Sequence, residues 1–297
     1  MADEGAGGAG GVFRRPRLFL RMVKFEHTIF GLPFVLFGGV LAAGGIPPAR
    51  ALFWMVMAAV GARNFAMTLN RYADRDIDPK NPRTRDRADF QGLLRSRVAP
   101  VMLAAFLGLL LLSAWMLNPL AFGLSFAVAG VIVFYSYSKR FTWLTHLFLG
   151  VVLGAAPAGA WVAVRGDLGA VPVLLFLGVA LWVGGFDIIY ACLDVEFDRS
   201  EGLRSLPERI GIGPALLVSA AAHGGAVLCF FLAGKTAGLG GAYWLGLTAA
   251  GVLLLWEHWV VNPGDLSRVN LSLFNLNAWV SVAISAGGIA DVLLRGS

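Results

Sequence analysis

Charge is scarce in this sequence. Only 14% of its 297 residues are Asp, Glu, Lys or Arg, and 58% are hydrophobic, whereas an ordinary soluble domain carries about a quarter charged residues. That balance excludes a water-soluble globular chain of this length. Cysteine is nearly absent too: Cys192 and Cys229 are the only two. Both fall in apolar stretches and read as small buried residues, not as a disulfide or a metal pair. The four histidines, His27, His146, His223 and His258, are scattered, and only His27 and His146 fall near predicted cytoplasmic helix ends. Residues 1–25 lack the apolar core of a cleavable signal peptide and carry Arg14, Arg15, Arg17 and Arg21 instead.

What the chain does have is long apolar runs. Stretches of about 18 or more residues recur along it, the signature of a polytopic membrane protein. Nine spans are predicted, at 26–45, 50–73, 98–116, 119–137, 143–164, 169–193, 213–234, 239–259 and 272–293. With the N-terminus in the cytoplasm, nineteen of the 24 Lys and Arg lie on the cytoplasmic side. Only Arg50, Arg165, Lys235 and Arg295 lie opposite, and Arg63 is inside a span. Such a bias sets orientation. The net charge of +6 therefore faces anionic headgroups or an anionic substrate, and nucleic acid is not the expected partner.

Far-side connections are short, at 46–49, 117–118, 165–168 and 235–238, whereas 74–97 and 194–212 are long and hold most of the acids. Residues 1–12 read as a disordered tail, and 13–297 as one transmembrane domain. Within it, residues 13–25 suit either a basic, apolar helix on the cytoplasmic membrane surface or a simple positive anchor.

The segment "NRYADRDIDPKNPRT" at 70–84 places Asn70, Asp74 and Asp78 at the end of the second span, with Asp76 between the acids. The pattern returns as Tyr190, Asp194 and Asp198, displaced by 120 residues at all three positions. Four spans separate the copies, so both emerge on one side of the membrane. The i, i+4, i+8 spacing predicts one helical face. Acids so placed repel, and each costs about 2.5–3.5 kcal/mol near lipid, so a positive partner is required. Carboxylate and amide oxygens without neighbouring His or Cys favour Mg²⁺, which is held by one or two carboxylates together with substrate phosphates. Two facing clusters are thus suited to a diphosphate bridged by Mg²⁺. Arg63, Lys139 and Arg140, with Arg83, Arg87 and Arg204 in the long loops, supply cations for the charge that develops on a leaving diphosphate. Taken singly, each feature has a plainer reading: a solvated acidic loop, a snorkelling arginine, a topology signal.

These residues resemble the signatures of the UbiA superfamily of intramembrane aromatic prenyltransferases, most closely its 4-hydroxybenzoate polyprenyltransferase branch. The resemblance runs from "KFEHTIFGLPF" at 24–34 to "NLSLFNLNAWVS" at 270–281. It takes in both acidic signatures, Arg63, "YSYSKRFTWLTHLFLG" and "GLRSLPERIG". It implies an all-α fold of about nine transmembrane helices around a central cavity open to the cytoplasmic side. It also implies Mg²⁺-dependent transfer of a polyprenyl group from a polyprenyl diphosphate to a small aromatic acceptor, here 4-hydroxybenzoate, in a bacterial inner membrane. By that resemblance Asn70, Asp74, Asp78, Asp194 and Asp198 hold the metal, and Lys139 and Arg140 hold the diphosphate. Arg63 meets the acceptor's carboxylate or the leaving group, and Tyr190 and Asp187 line the same pocket.

Two departures bear on the acceptor. The family's first motif continues Asn-Asp, but Arg71 follows Asn70 here, and "RADFQGLLRSR" at 87–97 stands where Arg-Pro-Leu and a glycine are usual. The first form resembles the subgroup tied to menaquinone synthesis, whose acceptor is a dihydroxynaphthoate. Phe30, Phe34, Phe65, Tyr135 and Phe186 are candidates for an aromatic wall that excludes water from a carbocation-like prenyl group, or for ordinary packing. The residue that removes the ring proton is not identifiable in the sequence. Asn275 and Asn277 are expected to hydrogen-bond between helices or to reach the cavity, and the nine Trp, most of them towards span ends, mainly to anchor those ends. Rival classes fit less well. A CDP-alcohol phosphotransferase needs one dense acidic motif, and an ion transporter needs acids at mid-span.

Overall fold

A computed structural model of the chain describes residues 31–84, 91–264, 266 and 269–295. The expected tail at 1–12 and surface helix at 13–25 lie outside the described residues, as do His27, Phe30 and Arg87. Among the described residues the fold is all-helical. The longer helices are α1 (Leu32–Ala43), α2 (Ala49–Ala73), α4 (Val98–Leu117), α5 (Pro119–Ser138), α6 (Thr145–Arg165), α7 (Ala170–Ala191), α10 (Ile212–Thr236), α11 (Gly241–Val260) and α12 (Val269–Arg295). Three short helices lie in the long connections: α3 (Gln91–Leu94), α8 (Val195–Glu201) and α9 (Leu206–Ile210).

Seven of these helices are long and apolar enough to cross a bilayer, which makes the chain a multi-pass membrane protein. The other two differ from expectation for separate reasons. Helix α1 has 12 residues with Gly31 as its N-cap, shorter than the expected span at 26–45, of which 26–30 lie outside the described residues. Helix α11 has 20 residues, but its last turn carries Glu257 and His258, which lower its hydropathy. In lipid the backbone must satisfy its own polar groups, so helices follow wherever the apolar runs occur.

The helices pack in chain order, each against the next, and α12 closes onto α1; α1 also packs against α6. Small residues permit the closest approaches. At Gly150 a β-carbon would overlap the Ala180 carbonyl oxygen where α6 crosses α7, and at Gly246 it would overlap the Ala283 carbonyl oxygen where α11 crosses α12. Phe34, Trp182, Phe230 and Ile284 fill the apolar core. Phe34 belongs to this cluster, and Phe65 is buried in a second one with Leu69 and Ile132. Trp182 is fully buried, whereas Trp115, Trp259 and Trp279 are exposed. Cys192 is buried and Cys229 half-buried, and both are free.

A polar network crosses this core. Trp182 Nε1 donates to Asn277 Oδ1 at 2.7 Å, and Asn277 Nδ2 donates to Glu257 Oε1 at 2.8 Å. Nearby, His223 Nε2 lies 3.1 Å from the Trp182 carbonyl and Nδ1 lies 2.9 Å from His258 Nε2. Since the carbonyl only accepts, the His223 proton sits on Nε2 and His258 donates to Nδ1. Asn277 therefore does bond between helices, as the sequence led us to expect. Asn277→Leu strips Glu257 and Trp182 of their partners in a dry interior. A loss of about 2–4 kcal/mol is expected, read as a lowered melting temperature in detergent; an unchanged melting temperature would deny the network any such weight.

Candidate active site

Both acidic signatures sit where a long helix loosens. Helix α2 ends at Ala73, and Asp74 follows as its cap with φ −96° and ψ 10°. Helix α7 ends at Ala191 and tightens into a 3₁₀ turn, Cys192–Asp194, with Asp194 at φ −107° and ψ 4°. The 120-residue echo is thus also an echo of backbone: both acids occupy the sparsely populated bridge region, where many active-site residues lie. The single continuous helical face expected for 70–78 is not present. Pro79 cannot donate a helical hydrogen bond and turns Asp78 away from helix, so 74–84 is a chain of turns. Asp78 N–H donates to Asp74 O at 2.8 Å, and the Thr84 hydroxyl donates to Asp78 O at 2.8 Å.

Asp74 is only 2% exposed. Lys139 Nζ lies 2.5 Å from its Oδ2 and Arg140 Nη2 3.2 Å from its Oδ1, and Arg140 also donates to the Ala73 carbonyl at 2.6 Å. Burial lifts the Asp74 carboxyl above the usual carboxylate range, and the negative charge of Asp78 adds to this, while Lys139 and Arg140 draw it back. The second acid is held from the first loop. Arg83 clamps Asp194 with Nε at 2.9 Å from Oδ1 and Nη2 on Oδ2, and Asn81 Nδ2 donates to Oδ1 at 3.1 Å. The Arg83 guanidinium lies 4.5 Å above the Tyr190 ring. Burial disfavours the Arg83 cation, yet its bonds and attraction to Asp194 prevail and raise its pKa. At the rim, Lys80 Nζ lies 2.6 Å from Glu201 Oε2.

The structure therefore brings Asp74, Lys139 and Arg140 together, and separately Asp194, Tyr190 and Arg83. Asp198 lies within electrostatic reach of Asp194, Lys139 and His146, which links the two groups. Asp78 is buried beside Asp74. Half-buried Asn70 accepts the Asp74 N–H through its carbonyl at 2.9 Å. Arg63 is half-buried in α2, two turns deeper than Asn70. Asp187 pairs with His146 at 2.6 Å. Arg204 does not join the acids: it is exposed, and its N–H and Nη1 donate to the carbonyls of Lys139 and Phe141, bracing the turn that carries the cations. Asp76 is exposed and faces Arg95 at 3.2 Å. Sequence reasoning missed Asn81 and the pairing of His146 with Asp187, although Asp187 itself was expected in the pocket. Asn81 carried only the turn signal of Asn-Pro.

The donors are oxygens throughout. Among the described residues no three of His, Cys, Asp and Glu converge as a complete metal cage. Two acid pairs with neighbouring cations fit a divalent ion of the Mg²⁺ type, which keeps waters and phosphate oxygens in its shell.

Known proteins resemble this chain over most of its length. Residues 31–279 match the UbiA prenyltransferase family. A 4-hydroxybenzoate octaprenyltransferase of Pseudomonas aeruginosa (strain LESB58) is 30% identical over 285 residues, covering 93% of this chain and 94% of the relative. The apo structure of a UbiA homolog from Aeropyrum pernix K1 superposes with a TM-score of 0.80 and 38% identity, over 90% of this chain and 98% of that one. A UbiA homolog from Archaeoglobus fulgidus bound to GPP and Mg²⁺ shares the fold, with a TM-score of 0.67, 19% identity and coverage of 93% and 99%.

Proposed function

This chain belongs to the UbiA prenyltransferase family, and we propose that it transfers a polyprenyl group from a polyprenyl diphosphate to a ring carbon of 4-hydroxybenzoate, with Mg²⁺, in a bacterial inner membrane with its N-terminus cytoplasmic. The observation that carries this is the juxtaposition, from positions 120 residues apart, of a buried acid pair, Asp74 and Asp78, and a half-buried one, Asp194 and Asp198, each with cations beside it. The named acceptor rests on the octaprenyltransferase relatives.

Asp74 with Asp78, and Asp194 with Asp198, would hold Mg²⁺ on the diphosphate, with Asn70 beside the first pair. When bound, the metal neutralises the diphosphate and makes it a better leaving group. Lys139 and Arg140 supply fixed positive charge where the leaving oxygens become more negative, an interaction strengthened by their partial burial. Arg63, two turns deeper, faces the acceptor's carboxylate. The prenyl tail lies against lipid-facing helices, so its apolar surface never has to enter water.

A second reading keeps the chemistry and exchanges the acceptor for a dihydroxynaphthoate. Arg71 in the place of the family's second acid favours it. Purified protein incubated with geranyl diphosphate, Mg²⁺ and each acceptor in turn separates the two by mass spectrometry. A prenylated benzoate is expected, lost on chelation. Product from the naphthoate alone moves the protein to menaquinone synthesis, and release of no diphosphate with either acceptor refutes both.

A further inference from the structure

His146 lies in the first turn of α6 and is 5% exposed. Its Nδ1 is 2.6 Å from Asp187 Oδ2 on α7, and its Nε2 is 3.4 Å from the backbone nitrogen of Leu206, the first residue of α9. A backbone N–H can only donate, so Nε2 carries the lone pair and the ring proton resides on Nδ1, directed at Asp187. The imidazole is therefore a neutral donor, fixed in orientation by a group on each side. Ser205 caps α9 through the Glu208 N–H at 3.4 Å, which holds the Leu206 end of this arrangement in place.

Asp187 is asymmetric by comparison. Its side chain keeps 22% exposure against 6% for His146, and among the described residues Oδ2 is bonded while Oδ1 is not. Asp187 lies in the last turns of α7, seven residues before Asp194, which ends the 3₁₀ turn that follows the helix. Arg63 stands at the matching depth on α2, seven residues before Asn70. A tie that served only to join helices would gain by engaging both carboxylate oxygens. This one clamps a single oxygen and leaves the other open, below the two acid pairs.

We propose that His146 is a positioning residue for the aromatic acceptor: it holds Asp187 so that Oδ1 accepts the hydrogen bond, and then the proton, of the acceptor's ring hydroxyl. This rests on the aromatic-acceptor reading above. As the allylic carbon–oxygen bond breaks, the diphosphate keeps the electron pair, and the ring carbon beside the hydroxyl forms the new carbon–carbon bond while the hydroxyl proton passes to Asp187. The resulting ketone loses the hydrogen on that carbon as a proton, and Asp187 returns its own to the oxygen. One proton and diphosphate leave in total. A hydroxyl that gives up its proton makes the ring a stronger nucleophile, and a rigidly held base keeps the hydroxyl, and hence one ring carbon, facing the prenyl group.

The test compares His146→Leu, His146→Gln and Asp187→Asn by steady-state kinetics with geranyl diphosphate and 4-hydroxybenzoate, and by calorimetric binding of geranyl diphosphate with Mg²⁺ in the absence of acceptor. His146→Leu is expected to raise the acceptor KM about tenfold or more, the effect of one hydrogen bond to a charged group. The KM and the binding of geranyl diphosphate should stay within about twofold. His146→Gln should recover most of the loss, because a carboxamide N–H can reach the same oxygen. Parallel changes in both KM values, or an unchanged acceptor KM in folded His146→Leu or Asp187→Asn, would overturn the proposal. If His146→Leu does not fold, Asp187→Asn carries the same expectation and the same refutation. Wild-type protein that binds geranyl diphosphate but prenylates neither the benzoate nor the naphthoate would overturn the acceptor reading itself, and this inference with it.

Discussion

Alanine at Asp74 or at Asp194 is expected to lower kcat/KM for the prenyl diphosphate by about 10³-fold, or roughly 4 kcal/mol of transition-state stabilisation. Each acid sits at the same loosened helix end and the same backbone conformation, and each belongs to an acid pair that faces cations. Losing either removes a charged ligand from a site whose work is to hold charge in place, and it also strands the cation opposite. The second effect can be separated from the first. Asp194→Asn combined with Arg83→Gln removes the carboxylate and its guanidinium together, so the pair's contribution to stability should cancel while activity stays low. Melting temperature and kcat/KM, followed across a range of Mg²⁺ concentrations, report the two quantities independently. A loss smaller than about tenfold in Asp194→Ala would make that acid a structural partner of Arg83 and nothing more.

The largest expected effect on stability is at Gly150. Valine there must fit where even a β-carbon overlaps the Ala180 carbonyl oxygen, which is backbone and cannot swing aside. Helices α6 and α7 would separate, at a cost of about 3 kcal/mol. Because α6 carries His146, and α7 carries Asp187 and leads into the turn that ends at Asp194, the site should fail with the packing. Gly159 lies in the same helix with nothing within 4 Å of a built β-carbon. Gly159→Ala is accordingly expected to be neutral or slightly stabilising, since alanine favours helix over glycine by about 1 kcal/mol. Thermal unfolding of both variants in one detergent checks the pair. Equal melting temperatures would show that the α6–α7 contact tolerates expansion.

How much of this was open to reading from sequence divides along a physical line. The membrane-scale helices were legible because a bilayer imposes one demand on every residue of a span. An apolar run must form a helix regardless of its neighbours, so expected and observed bounds of α4, α5 and α12 differ by three residues or fewer. The paired acidic signatures were legible for a similar reason: carboxylates at the end of a greasy helix are costly and have to be there for something. Only the tertiary structure decided which cation meets which acid. Arg83 belongs to the loop of the first signature yet clamps Asp194 of the second, and Lys139 and Arg140, not Arg204, take Asp74. Such pairings depend on the order in which helices close the ring and on how each is rotated. One residue of rotation about a helix axis turns a side chain by about 100°. The same holds for His146, whose meaning lies in a carboxylate 41 residues away and a backbone N–H 60 residues away. Solvent preference is a property of each residue, and so the sequence by itself determined where the chain crosses the membrane and where its acids emerge. Partnership is a property of packing, and packing alone assigned those acids their neighbours.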